Sequence, residues 1–136
     1  MATRSATARR RKGYETEVEI RNHRLIVDET VEDGGADSGP RPTELLAASL
    51  ASCTTITLVM YADRKGWDVG AVEVEVAYDG ATANDPASFN TVITIPAALD
   101  HEQRRRLLVI ATKCPVHRAL LAQDVQVNDE LKMIEA

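Results

Sequence analysis

The sequence predicts an α+β fold in which helices lie on one side of an antiparallel sheet. Residues 45–62 contain no charged side chain, and their apolar residues recur at steps of three and four, as in a helix. Segments on both sides of this run alternate apolar with polar residues, which is typical of half-buried strands. At 136 residues, the chain is long enough for one domain with its own core.

The N-terminal residues 1–12 are basic and contain no acid. Their composition could suit a transit peptide or a nucleic-acid arm. We instead predict a disordered basic tail, followed by a single domain over residues 13–136. The net charge of −5 argues against nucleic acid as the main partner. Because the sequence shows no apolar secretion signal, we expect a reducing, cytoplasmic location.

The next segments predict a β-hairpin and a loop. Residues 14–20 alternate large apolar with acidic or polar side chains, which indicates a strand. Residues 21–23 can turn, and residues 24–28 form the returning strand. Residues 33–40 are rich in glycine and aspartate and predict a loop. The loop lacks the Lys-Ser/Thr pair of a phosphate-binding loop, so we do not assign that function.

The uncharged run predicts a central helix that begins at Pro42 and ends near Gly66. This helix is apolar or small on every side, so it either spans a membrane or is covered by protein all round. Several serines and threonines dilute its hydrophobicity, which disfavours the membrane alternative. We expect a second subunit to cover part of it.

The second half of the chain predicts two further strands, two helices and a last strand. The strands span residues 71–78 and 89–95, and a helix capped by Asp100 follows over residues 101–113. Cys114 is predicted as the N-cap of a short helix that ends near Ala122, because Pro115 suits the first helical position. Residues 124–133 are predicted as the final strand.

The two cysteines, Cys53 and Cys114, are candidates for thiol chemistry. A thiolate can attack a peroxide oxygen to give a sulfenic acid, which a second thiol converts into a disulfide. Such a reaction needs an ionised thiol, a nearby cation and a resolving thiol. Cys114 lies at a helix N-terminus, where the pKa of a thiol is lowered. Cys53 lies within a helix, so its cation would come from elsewhere, and Arg21 and Arg24 are the candidates.

Three other roles for the cysteines remain open on the residues alone. Free cysteine is among the most buried residue types, so Cys53 could simply fill space in the core. Cys114 and His117 could be half of a metal site, but a structural zinc needs four ligands and no second pair is evident. A cysteine–histidine pair for acyl transfer has no local signature here. We therefore expect no metal and no cofactor.

Two motifs together resemble the OsmC/Ohr family. The first is G-P-R-P-T-E-L-L-A-A-S-L-A-S-C-T at residues 39–54, and the second is K-C-P-V-H-R at residues 113–118. V-D-E at residues 27–29 and G-G-A-D-S-G at residues 34–39 fit the same pattern. The resemblance covers about residues 14–134.

The resemblance implies an OsmC-like intertwined homodimer, in which an antiparallel sheet wraps around the central helices. In the family's peroxidases, the cysteine that matches Cys53 attacks an organic hydroperoxide and the one that matches Cys114 resolves the product. An arginine of the N-terminal hairpin holds the thiolate; Arg21 fits best and Arg24 is the alternative. A thiol reductant, whose identity the sequence does not indicate, would then restore the enzyme. Neither nucleic acid nor a membrane is implied as a partner.

One position departs from the peroxidase pattern. The family's peroxidases carry two adjacent glutamates after the proline, and the first pairs with the arginine. Here these positions are Thr43 and Glu44. Because Thr43 cannot form an ion pair, Glu44 is the candidate supporting residue. The sequence therefore predicts a hydroperoxide reductase, and the alternative is an OsmC-like protein without peroxidase activity that binds a small apolar ligand at the dimer interface.

Overall fold

The chain consists of five strands and three α-helices over the described residues. A computed structural model describes residues 3–96 and 98–134. The elements are β1 (Thr7–Lys12), β2 (Glu15–Ile20), β3 (His23–Val27), a short 3-10 helix (Val31–Asp33), α1 (Pro42–Lys65), β4 (Glu73–Asp79), β5 (Ser88–Thr94), α2 (His101–Ala111) and α3 (Pro115–Leu121). One antiparallel sheet has the order β1-β2-β3, and the other pairs β4 with β5. The predicted α+β class with antiparallel strands is confirmed.

The elements fall into two compact units. The first contains strands β1 to β5 and helix α1 up to Ser52. The second contains α1 from Cys53 onward, together with α2 and α3. Both cysteines belong to the second unit, whereas Arg21 and Glu44 belong to the first.

The basic N-terminal segment contains a strand, so the prediction of a disordered tail over residues 1–12 is wrong for residues 7–12. Strand β1 pairs antiparallel with β2, and Thr7 lies opposite Glu19. Opposite charges accompany the pairing, since Arg9 lies 3.9 Å from Glu19 and Arg11 lies 3.4 Å from Glu15. Cross-strand pairs of this kind stabilise a sheet.

Helix α1 has the predicted bounds, from Pro42 to Lys65. At its start, the Arg41 amide donates to the Glu44 carboxylate at 2.8 Å. At its end, Gly66 adopts a left-handed conformation with φ of 71°, which suits a glycine after a helix. By length and composition alone, α1 could cross a membrane, a test that core helices also pass. Only 22% of its most apolar window is buried within this chain.

Helices α2 and α3 begin as predicted. The Asp100 carboxylate accepts from the Gln103 amide at 2.7 Å, and the Gln103 side chain accepts from the Asp100 amide at 3.0 Å. This reciprocal pair is a capping box, which satisfies two amides at the start of α2. Cys114 is the N-cap of α3 and Pro115 is its first residue.

The C-terminal segment does not form the predicted last strand. No strand is present after α3 in the described residues, and the apolar side chains of this segment are exposed. Alternation alone cannot make a strand, because its amides and carbonyls need a neighbouring strand as partner. The exposed side chains are Val125, Val127, Leu131, Met133 and Ile134.

Candidate active site

The two cysteines lie together in the second unit. Cys53 is half-buried within α1, and Cys114 is fully buried at the N-cap of α3. Their side chains lie close enough for Cys114 to raise the pKa of the Cys53 thiol, and both cysteines are free thiols. The structure therefore brings together two thiols that are 61 positions apart in the sequence. This proximity is the geometric requirement for a reversible disulfide.

Backbone amides at the start of α3 contact both sulfur atoms. The His117 N–H donates to Cys114 Sγ at 3.4 Å. The Val116 amide lowers the pKa of the Cys53 thiol, so it lies near the Cys53 sulfur. These amides are available because the first helical N–H groups have no carbonyl partner within the helix. Each sulfur therefore has one backbone amide nearby that favours negative charge on it.

The environment of Cys53 raises the pKa of its thiol above the ordinary value. The largest cause is burial, which disfavours the thiolate, and the Cys114 side chain adds to it. The Val116 amide and the Thr57 hydroxyl act in the opposite direction, because a donor near the sulfur favours the thiolate. Within the described residues, no cation is among these causes, so the resting thiol is protonated near neutral pH.

Thr57 and the two amides were not foreseen from the sequence. Thr57 lies four residues after Cys53 on α1, and side chains with this spacing are neighbours on one helix face. That spacing could have identified Thr57. The amide contacts depend on how α3 packs in the folded chain, which local sequence patterns do not reveal.

His117 has a second feature that the sequence did not indicate. Its ring Nδ1 is buried and has no hydrogen-bond partner within the described part of the chain. Buried polar atoms are usually paired, so this nitrogen is an exception. The described residues contain no group of three or more histidine, cysteine or acidic side chains that could hold a metal ion.

Arg21 occupies the tight turn between β2 and β3. Its side chain is exposed, and its φ of 54° lies in the left-handed region that favours glycine. No ion pair involves Arg21 within residues 3–96 and 98–134. Arg24, the alternative, lies 3.5 Å from Glu17 and 3.6 Å from Glu19, so its charge is already paired. Of the two, Arg21 is therefore the arginine whose charge remains available.

Glu44 lies in the first turn of α1 and is exposed, as is Thr43. The Glu44 carboxylate accepts from the Arg41 amide, so it acts locally as a helix cap. It forms no ion pair with an arginine in the described chain. Its supporting role in catalysis stays a prediction.

A buried carboxylate organises the loop that leads into α1. Asp28 is 2% exposed and accepts from the amides of Glu29, Ala36 and Ser38 at 2.7 to 3.1 Å. The Ser38 hydroxyl donates to it at 2.8 Å. These bonds, chiefly the Ser38 hydroxyl, lower the pKa of Asp28 to about 2. The sequence places Asp28 at the end of a strand and in the V-D-E motif, but it does not indicate these bonds to the loop.

Arg41 also stabilises the same loop, through ion pairs. Its guanidinium donates to Glu29 at 2.9 Å and to Asp33 at 2.8 Å. One arginine thus joins two acidic residues of the loop just before α1 begins. Sequence analysis missed this cation, because nothing local indicates that the loop folds back onto it.

Comparisons with known proteins identify the family. A family model described as OsmC-like protein matches residues 34–129, a range that includes both cysteines but not Arg21. A search of curated protein sequences finds no match.

Several solved structures are similar in fold. One, from Psychrobacter arcticus and assigned to the osmotic stress induced and detoxification response, has a TM-score of 0.79 and 24% identity, covering 91% of this chain and 92% of that chain. An organic hydroperoxide resistance protein OsmC from Legionella pneumophila has a TM-score of 0.67 and 21% identity, covering 89% and 90%. An organic hydroperoxide resistance protein from Elizabethkingia anophelis has a TM-score of 0.68 and 23% identity, covering 90% and 91%.

These structural similarities establish the fold, and the family model covers more than half of the chain. Both agree with the family that the two cysteine motifs indicate. The chain therefore belongs to the OsmC-like protein family.

Proposed function

We propose that the protein is a thiol-dependent peroxidase that reduces organic hydroperoxides. The observation that carries the proposal is the proximity of Cys53 and Cys114, together with the His117 amide that donates to Cys114 Sγ. The names of the Legionella and Elizabethkingia proteins, both organic hydroperoxide resistance proteins, support the substrate class.

The proposed reaction has two steps within the protein. The Cys53 thiolate attacks one peroxide oxygen, the O–O bond breaks, and the departing alkoxide takes up a proton to leave as an alcohol. Cys53 is then a sulfenic acid. The Cys114 sulfur attacks the Cys53 sulfur, the S–O bond breaks, and water leaves as the disulfide forms. An external thiol reductant, available in a reducing cytoplasm, returns both cysteines to thiols.

Because the pKa of the Cys53 thiol is raised, the proposed enzyme needs a further group that favours the thiolate. At neutral pH the thiol must lose its proton, and a nearby positive charge favours the thiolate. We assign this charge to Arg21, whose guanidinium has no ion-pair partner within the described residues, and a supporting role to Glu44. We further propose that a homodimer completes the site, because apolar residues of α1 are exposed in the single chain.

The raised pKa also favours a second candidate function. A protonated, half-buried Cys53 and the replacement of a glutamate by Thr43 suit a protein that has lost peroxidase chemistry. Such a protein would bind a small apolar ligand at the dimer interface.

Peroxide consumption by cysteine variants tests the proposed function. With an excess of a dithiol reductant and cumene hydroperoxide, Cys53→Ser should reduce consumption to the rate without protein, because serine lacks an attacking thiolate. Without added reductant, Cys114→Ser should consume one peroxide to form the Cys53 sulfenic acid and a second peroxide to form a sulfinic acid, because no second thiol resolves the sulfenic acid. Thr112→Ser, an exposed change near Cys114, is the control and should retain activity. Equal consumption by wild type and Cys53→Ser would exclude the peroxidase and leave the second candidate.

A further inference from the structure

A pocket lies in the helical unit, apart from the cysteines. It has a volume of about 410 Å³ and is formed by the end of α1, the residue Trp67 that follows it, and the start of α2. This volume is within the range of small-molecule sites. None of its lining residues belongs to the proposed thiol site. They are Tyr61, Lys65, Trp67, Asp100, Glu102, Gln103 and Arg106.

Two aromatic rings provide flat apolar surface in this pocket. The rings of Tyr61 and Trp67 are 5.7 Å apart and are inclined at 72°, an edge-to-face arrangement. Both residues are only half-buried, so part of each ring remains accessible. Edge-to-face rings of this kind can hold a planar group against their faces.

Two cations lie beside Tyr61. Lys65 Nζ is 5.7 Å from the centre of the ring, and the Arg106 guanidinium carbon is 5.8 Å from it. Arg106 Nε also donates to the Tyr61 hydroxyl at 2.9 Å. This bond orients the guanidinium and leaves its other N–H groups for a ligand.

The acidic residues of the pocket do not neutralise these cations by direct contact. The Asp100 carboxylate caps α2 through the Gln103 amide. Both oxygens of the Glu102 carboxylate accept from Arg105, at 3.2 and 2.6 Å. Arg105 is the main cause of the lowered pKa of Glu102, and the charge of Arg106 adds to it. Within the described chain, no carboxylate lies within 4 Å of Lys65 or Arg106.

We propose that this pocket binds a small aromatic carboxylate. The carboxylate would contact Lys65 and Arg106, and the aromatic ring of the ligand would lie against Trp67. Arginine is suited to this role because its guanidinium donates two parallel hydrogen bonds to a carboxylate. The proposal is independent of the peroxidase function, because it uses neither cysteine.

The single tryptophan of the chain provides a direct measurement. Trp67 gives the only indole N–H cross-peak in a proton–nitrogen NMR spectrum of the full chain. Titration with sodium benzoate should shift this peak saturably. Benzyl alcohol, which has the ring but no charge, should bind at least about ten-fold more weakly, the scale of one lost charged contact.

Three variants separate binding from general effects of charge. Arg106→Gln and Lys65→Gln should each weaken benzoate binding about ten-fold or more. Lys65 is exposed, so its variant tests the proposal even if Arg106→Gln fails to fold. Arg104→Gln removes an equal charge from an exposed site on α2 that does not line the pocket, and binding should be unchanged.

Three results would overturn the proposal. The first is a peak shift that rises linearly with benzoate and does not saturate. The second is an equal affinity for benzoate and benzyl alcohol. The third is an equal affinity in Arg104→Gln, Lys65→Gln and wild type. Any of these would mean that the two cations only hold Tyr61 in place.

Discussion

At the scale of single residues, neighbouring groups shift the pKa of the Cys53 thiol in opposite directions. Burial and the neighbouring Cys114 raise the pKa of its thiol, whereas Thr57 and the Val116 amide lower it. A small change in any of these groups should therefore change the fraction of thiolate near neutral pH. Arg21 lies in a strained left-handed turn. We expect its positive charge to increase the fraction of Cys53 thiolate in the assembled protein.

Two substitutions should move the Cys53 pKa in opposite directions. Thr57→Val removes, at nearly constant volume, a hydroxyl that favours the thiolate, so the pKa should rise. Cys114→Ala removes a group that disfavours the thiolate, so the pKa should fall. The rate of alkylation by iodoacetamide as a function of pH measures this, with the modified cysteine identified by mass spectrometry. Shifts of the same sign in both variants would contradict the contacts described for Cys53.

At the scale of elements, hydrogen bonds to Asp28 stabilise the loop before α1. Its carboxylate accepts four hydrogen bonds, and its pKa is lowered from 3.8 to about 2. Because the folded pKa is below the unfolded one, the stabilisation is fully present above pH 3.8 and is lost as the pH falls toward about 2. Loosening of this loop at acid pH should precede changes in the helical unit.

Asp28→Asn should remove this dependence on pH. The variant should have a lower free energy of unfolding at neutral pH, because an amide cannot accept all four hydrogen bonds equally well. The difference from wild type should shrink as the pH falls from 3.8 to about 2. Urea unfolding at several pH values measures both effects. Asp37→Asn, an exposed change in the same loop, is the control. A constant difference at every pH would contradict the assigned role of Asp28.

The elements differ in how far local sequence determines them. Helix α1 and the N-cap of α3 were predictable, because an uncharged run and a proline after Cys114 act through local rules. Strand β1 was missed because its basic side chains suggest a solvated tail, and the glutamates opposite them, Glu15 and Glu17, are brought there only by folding. The Val116 amide and the Asp28 contacts also depend on parts of the chain that meet only after folding.

At the scale of the whole molecule, the single chain leaves much apolar surface uncovered. On α1, Leu46, Ile56 and Met60 are 41%, 58% and 52% exposed. The C-terminal residues carry a strand-like pattern without a partner strand in the described chain. Both features are what a homodimer would explain, because a second copy can cover the helix and pair with the segment.

Ile56→Lys should weaken this dimer. Burial of an isoleucine side chain contributes about 1.5–3 kcal/mol, and two copies lose it at a symmetric interface. Sedimentation equilibrium should show two chains per particle for wild type and mainly single chains for the variant. Ala83→Lys adds the same charge to an exposed loop and should stay dimeric. A single-chain mass for wild type would refute the dimer.

The most direct test of the account is a count of free thiols by mass spectrometry, before and after one equivalent of cumene hydroperoxide. We predict that both thiols disappear together and that Cys53 and Cys114 are recovered as one disulfide within the same chain, because their side chains already lie near each other. Survival of both thiols would contradict the peroxidase, and the dimer interface would then be examined for an apolar ligand. A disulfide between two chains would contradict the pairing of these two cysteines.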